Sequence, residues 1–159
     1  VNSVAAQHAL ANETKHLRGG YITYSPQSAS SALNPGRTIG RQLEICLARR
    51  KTPPMDVATE IISVLAEVGL PARAARALPG ELSGGMAQRA AIAISIAPDP
   101  TILIADEPET GLDPVLRRLV TELMLEVAAN HGVGMLLISH NMDTVERVAN
   151  HVVRIGGDA

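Results

Sequence analysis

The sequence predicts an α/β protein built on a parallel sheet, and three observations carry that prediction. Two short apolar runs, residues 101–105 and 133–138, end abruptly in polar groups, Asp106-Glu107-Pro108 after the first and Ser139-His140 after the second. Buried strands deliver side chains to the carboxyl edge of a parallel sheet in this way. Segments with helical spacing of apolar residues alternate with those runs, as in βα units. Finally, Leu82-Ser83-Gly84-Gly85 reads as a small-residue turn opening a helix, with Ser83 suited to the N-cap.

Taken in order, residues 1–20 are polar and loosely periodic, and they end at Gly19-Gly20. Residues 21–24, YITY, read as a β-branched and aromatic strand closed by Pro26-Gln27. Over residues 38–50, Ile39, Leu43, Cys46 and Leu47 recur at helical spacing, and over 55–68 Val57, Ile61, Ile62, Leu65 and Val68 do the same. Thr52-Pro53-Pro54 separates the two helices. Gly69-Leu70-Pro71 ends the second, and residues 72–78 predict a short third one. A helix over 115–130 places Leu116, Leu119, Val120, Leu123 and Val127 on one stripe, and His131-Gly132 terminates it. After the strand at 133–138, a short helix over 142–150 and a last strand over 152–155 complete the pattern. No internal repeat or low-complexity segment interrupts it.

Composition narrows the function. At 159 residues the chain is long enough for one compact domain with a real core. Hydrophobic residues make up 46%, but aromatics only 1%, so Ala, Leu, Ile and Val must build that core. A net charge of −2 gives no electrostatic footprint for nucleic acid, which is disfavoured as a partner. Cys46, the one cysteine, cannot form an internal disulfide and reads as an inert thiol in a reducing compartment. The longest apolar run, residues 90–97, is far short of the roughly 20 residues that span a bilayer, and the start carries no signal-peptide pattern. The chain is therefore expected to be soluble or peripheral on a membrane partner.

LSGGMAQRA followed by ILIADEP and GLD resembles the signature motif, Walker B motif and D-loop of an ATP-binding-cassette (ABC) ATPase. Each alone is common. Together, in this order and spacing, they are specific. Gln27 stands where the family's Q-loop glutamine would, and the Leu33-Asn34-Pro35 continuation resembles the subset serving oligopeptide, dipeptide and nickel importers. The resemblance implies a parallel-sheet P-loop NTPase core of ABC type with an α-helical subdomain. Its parts would be residues 1–37 (the Q-loop part of the core), 38–80 (the helical subdomain) and 81–159 (signature helix, Walker B, D-loop and H-loop). Arg49-Arg50-Lys51 could face the membrane-spanning partner on which the family's helical subdomain docks, or simply form a solvated helix end.

Hydrolysis of a γ-phosphate needs a divalent metal, a positioned water and donors for the developing charge. The resemblance assigns Asp106 to Mg²⁺, mainly through bound water, and Glu107 to general base or water orienter. His140 matches the switch histidine that contacts the γ-phosphate, and Gln27 would sense metal and water. Because the family works as a head-to-tail pair, Ser83, Gly84, Gly85 and Asp113 would act on ATP held by a second nucleotide-binding subunit. Transmembrane permease subunits would be the other partners, at the cytoplasmic face of the membrane. His8, His16, His131 and His151 show no ligand spacing and receive no function.

The phosphate-cradling G-x-x-x-x-G-K-[ST] loop is missing: no Gly-Lys-Ser or Gly-Lys-Thr occurs. The expectation is a cassette truncated at its N-terminus, with doubtful stand-alone hydrolysis and an exposed sheet edge. Smaller departures are Glu109, where the family usually has Thr or Ser, and Ala87, where a basic residue is frequent. Two other readings stay open. One is a degenerate subunit that completes a partner's site without hydrolysing ATP. The other is a non-transport ABC ATPase of DNA repair, for which the expected coiled-coil or cysteine-rich insertions are absent from this sequence.

Overall fold

The structure is a computed structural model and describes residues 13, 14, 17, 19–27 and 32–155. Three parallel strands, β1 (Ile22–Ser25), β2 (Ile102–Asp106) and β3 (Gly134–Ile138), pair in the order β1-β2-β3. The register sets Tyr24 beside Ile104 and Ile104 beside Leu136, with Asp106 opposite Ile138 at the carboxyl edge. Helices α1 (Ile39–Leu47), α2 (Val57–Glu67) and α3 (Gly84–Ile96) connect β1 to β2. Helix α4 (Pro114–Asn130) crosses from β2 to β3, and α5 (Met142–Val148) follows β3.

Each helix begins where a side chain can satisfy its first free N–H groups. Thr38, Asp56, Ser83, Asp113 and Asn141 accept from backbone amides one turn ahead. Asp113 accepts from both Val115 and Leu116, and Pro114 at the first helical position loses no hydrogen bond. The core is a contiguous apolar cluster through α1, α2, α3, α4 and one face of the sheet, and it is filled by aliphatic residues such as Leu43, Leu65, Ile92, Leu103 and Val127. Gly40 marks its tightest crossing. A Cβ there would sit 2.7 Å from the Ala75 carbonyl oxygen, on the 3₁₀ segment Ala72–Arg76. Gly40→Ala is therefore expected to cost about 1–3 kcal/mol, the ordinary penalty of overpacking, measurable as a lower urea midpoint with unchanged m.

The sheet's two faces differ. Thr23, Ser25, Leu103 and Ala105 are buried under the helices. On the other face Tyr24, Leu136 and Ile138 are 55%, 54% and 46% exposed, and no helix among the described residues covers them. Parallel sheets are ordinarily covered on both faces, which is why their strands are apolar throughout. The outer edge of β3 likewise has no paired strand among the described residues.

Several expectations are corrected. Residues 152–155 form no strand: Val152, Val153 and Ile155 are exposed, and without a neighbour to pair with, an extended segment has no ladder to join. The predicted helix over 72–78 is a shorter 3₁₀ turn, Ala72–Arg76. Leu119 and Ile62 lie largely in solvent, while Met124, Ala128 and Val64 take the inward positions, so each stripe is rotated relative to its sequence reading. Arg50 is not available to a partner, because it donates to the Ala97 carbonyl at 2.8 Å and pairs with Glu60 at 2.6 Å. Cys46 is half-buried, and burial pushes its thiol up, against the pull of Arg49. The residues at 28–31, within the predicted Q-loop stretch, lie outside the described residues, as do His8 and His16.

Candidate functional site

The carboxyl edge of the sheet gathers the candidate residues. β2 ends with Asp106, and the chain turns sharply at Glu107, whose φ of 43° lies in the left-handed region. The Glu107 N–H donates to the Ile138 carbonyl at 2.8 Å and the Thr110 N–H donates to the Glu107 carbonyl at 3.0 Å, so the ladder beside β3 and a tight turn together hold this conformation. A non-glycine residue in such backbone costs about 1–3 kcal/mol and commonly serves a site.

Three elements far apart in sequence converge on the Glu107 side chain. Gln27, just past β1, donates through Nε2 to Oε2 at 3.0 Å. Thr110 Oγ1 donates to the same oxygen at 2.9 Å. His140, just past β3, lies with Nδ1 2.9 Å from Oε1. The imidazole beside it, then the Thr110 hydroxyl, hold the Glu107 carboxyl below its ordinary value. A carboxylate with a depressed pKa in the folded protein gives its contact full strength above the ordinary carboxylate range. The contact is lost as pH falls through the depressed value. His140→Ala is expected to raise the Glu107 titration towards its ordinary value, read from the side-chain carboxyl ¹³C shift.

Among the described residues Asp106 has one side-chain partner. The Tyr24 hydroxyl donates to Oδ2 at 2.7 Å, a bond that raises the phenol's pKa. The other Asp106 carboxylate oxygen has no hydrogen bond among the described residues. A single outward-facing carboxylate suits Mg²⁺, which keeps several waters and takes further ligands from phosphate rather than from a protein cage. No cluster of three metal-ligating side chains occurs among the described residues. Asp106 would be the residue to hold the ion, which would neutralise charge on the phosphates.

Ser83, Gly84, Gly85 and Asp113 form a second group at the starts of α3 and α4. Ser83 Oγ accepts the Met86 N–H at 3.3 Å, and both Ser83 and Asp113 are exposed. A Cβ on Gly84 would meet nothing within 4 Å, and one on Gly85 only the Leu116 side chain at 3.8 Å. Neither glycine is demanded by this chain's own packing. None of these four residues bonds to Gln27, Asp106, Glu107 or His140 within the chain. α3 does reach the first group indirectly, through Gln88 Nε2, which donates to the Pro108 carbonyl at 3.3 Å.

Tyr24 and Thr110 belong to the site although the sequence reading gave neither a role. Tyr24 was legible only as a strand residue. Its period-2 relation to the strand end would place it on the same face as Asp106 once β1 and β2 were paired. Thr110 has the threefold spacing from Glu107 of a turn-closing hydroxyl.

The sequence and fold match known proteins. The family model described as ABC transporter matches residues 3–110. Oligopeptide transport ATP-binding protein OppD of Lactococcus lactis subsp. cremoris is 38% identical over 139 residues, covering 86% of this chain. Dipeptide transport ATP-binding protein DppD of Bacillus subtilis is 38% identical over 143 residues, covering 88%. The chain spans 41% and 43% of the length of these two relatives. Among solved structures, the ATP-binding cassette MJ0796, a dimer in a post-hydrolysis state bound to ADP and Pi, superposes with a TM-score of 0.68 at 26% identity. The match covers 84% of this chain and 58% of that one. The fold is that of an ABC ATPase cassette. The chain belongs to the ABC transporter family, and its relatives include peptide-import ATP-binding proteins.

Proposed function

We propose that the chain is the signature, Walker B and switch-histidine portion of an ATPase that drives peptide or nickel import, working at the seam between two cassettes. The observation that carries this is the convergence of Gln27, Thr110 and His140 on the Glu107 carboxylate, beside the metal-suited Asp106. Glu107, kept ionised and aimed by neighbours on three sides, orients the water that attacks the γ-phosphate. Gln27 and His140 report the state of that phosphate, and Asp106 holds Mg²⁺ through water. Ser83, Gly84, Gly85 and Asp113 face outward, so the nucleotide they meet is held by the opposite subunit. Their free N–H groups and the dipole of α3 favour an anion there. Membrane-spanning permease subunits receive the motion through the helical subdomain, on the cytoplasmic face. Among the described residues no helix is long and apolar enough to cross a membrane, and the permease supplies that part.

A second reading rests on one sequence fact, the lack of any Gly-Lys-Ser or Gly-Lys-Thr in these 159 residues. In it, the chain completes a partner's site and hydrolyses nothing at its own. Both readings require ATP-dependent pairing. Sedimentation velocity of the chain mixed with an intact peptide-import cassette should show a heterodimer with ATP and none without nucleotide. Two unassociated species under both conditions would contradict both readings. An in-frame Gly-x-Gly-Lys coding stretch just upstream favours the first reading over the second.

A further inference from the structure

Glu109 is a carboxylate inside the protein, with only 4% of its surface exposed. Taking a carboxylate out of water is unfavourable unless donors meet its oxygens. Here the Ser139 hydroxyl donates to Oε1 and the Thr144 hydroxyl to Oε2, both at 2.6 Å. No ion pair among the described residues reaches it, so these hydroxyls carry its satisfaction.

The placement of those partners gives the carboxylate a second role. Ser139 immediately precedes His140, and its hydroxyl oxygen also accepts the Asn141 N–H at 3.0 Å. Asn141 in turn caps α5 by accepting from Asp143 and Thr144. Glu109 thus grips both ends of the segment that carries His140, from a position two residues beyond Glu107. His140 itself is 77% exposed at its side chain, and among the described residues its side chain bonds only to Glu107. With the ring so exposed, its approach to Glu107 depends on where the backbone of residues 139–144 is held. A buried, fully satisfied polar network holds a backbone rigidly.

We propose that Glu109 is a positioning residue: by bridging the Ser139 and Thr144 hydroxyls it fixes the 139–144 segment so that His140 Nδ1 meets the Glu107 carboxylate. This rests on the reading of Glu107 and His140 as the water-handling pair. It explains why a long acidic side chain is accommodated at a position where a short hydroxyl residue was expected. A threonine there could not span to two hydroxyls at once.

The test uses the isotope-labelled full chain and the ring ¹⁵N and ¹³C resonances of His140, with His131 and His151 as internal controls. Glu107→Ala, which leaves no acceptor or donor for the ring nitrogen, defines the position of an unheld ring. Ser139→Ala and Glu109→Ala are expected to move His140 to that same position while leaving His131 unmoved. Glu109→Gln should stay near wild type, because an amide can accept from one hydroxyl and donate to the other. His140 resonances unchanged in Ser139→Ala, or in a folded Glu109→Ala chain, overturn the proposal. Should Glu109→Ala fail to fold, Ser139→Ala and Thr144→Val decide alone. If Glu107→Ala itself leaves His140 unmoved, the Glu107–His140 pair is absent and the reading of the site falls with this inference. If it moves His140 and Ser139→Ala does not, only the role of Glu109 falls.

Discussion

Leu103→Ala is expected to cost about 3 kcal/mol, inside the usual 2–5 kcal/mol for truncating a buried leucine, and to leave much of the chain unfolded at physiological temperature. Leu103 is fully buried in the middle strand, flanked by Thr23 and Met135 on either side. The sheet can relax little around the hole, because β2 is held on both edges. Small domains hold only about 5–15 kcal/mol in total, and one whose sheet has an open apolar face starts near the lower end. Ile104→Ala, one residue along and on the less covered face, is expected to cost about 1 kcal/mol under the same area argument. Urea unfolding followed by circular dichroism gives both values. Equal losses for the two variants, or a cooperative melt of the unaltered chain far above physiological temperature, would contradict this account of the sheet.

Ser83→Arg is expected to weaken ATP-dependent pairing with an intact cassette by about 100-fold or more, with little change in the fold. Ser83 is exposed, and the space beside Gly84 is open, so an arginine side chain can extend without displacing this chain's own atoms. Stability falls by no more than the loss of a helix cap, about 1 kcal/mol. The expected loss of pairing has a different origin: a guanidinium would occupy the place proposed for a nucleotide phosphate at the amide ends of α3. Ser83→Ala separates the two effects, since it removes the cap and leaves the space. Isothermal titration with ATP present distinguishes them. Equal affinities for Ser83→Arg and the unaltered chain would remove the start of α3 from the interface.

The fold was legible wherever apolar pattern and capping chemistry agree. The strands at 22–25, 102–106 and 134–138 and the cap at Ser83 follow from short apolar runs and from a serine before a helical stretch. Val152, Val153 and Ile155 carry the same β-branched composition and still form no strand, because strand formation depends on a neighbour, and a sequence pattern does not contain the neighbour. The rotation of α4 that exposes Leu119 and buries Met124 is likewise set by how the helix lies across the sheet.

For the candidate site, the motifs supplied the residues as expectations, whereas the meeting of Gln27, Glu107 and His140 is a product of topology. Gln27, Glu107 and His140 come from the ends of three strands, and parallel pairing puts those ends on one edge. Tyr24 at Asp106 and Glu109 beneath Ser139 were not legible, since the first requires the β1-β2 register and the second a side chain turned inward from a loop. Both are polar residues within a few positions of an expected site residue, and only paired strands show what they touch.

The most direct measurement is rescue of hydrolysis. An intact peptide-import cassette whose own signature serine is replaced by arginine keeps its ATP but lacks the facing serine-glycine turn. Phosphate release should rise when this chain is added, saturate at one chain per cassette, and fail to rise with the Ser83→Arg chain. Release that stays at the level of the crippled cassette alone, at every ratio tested, would contradict the claim that Ser83, Gly84 and Gly85 complete an ATP site across a subunit seam.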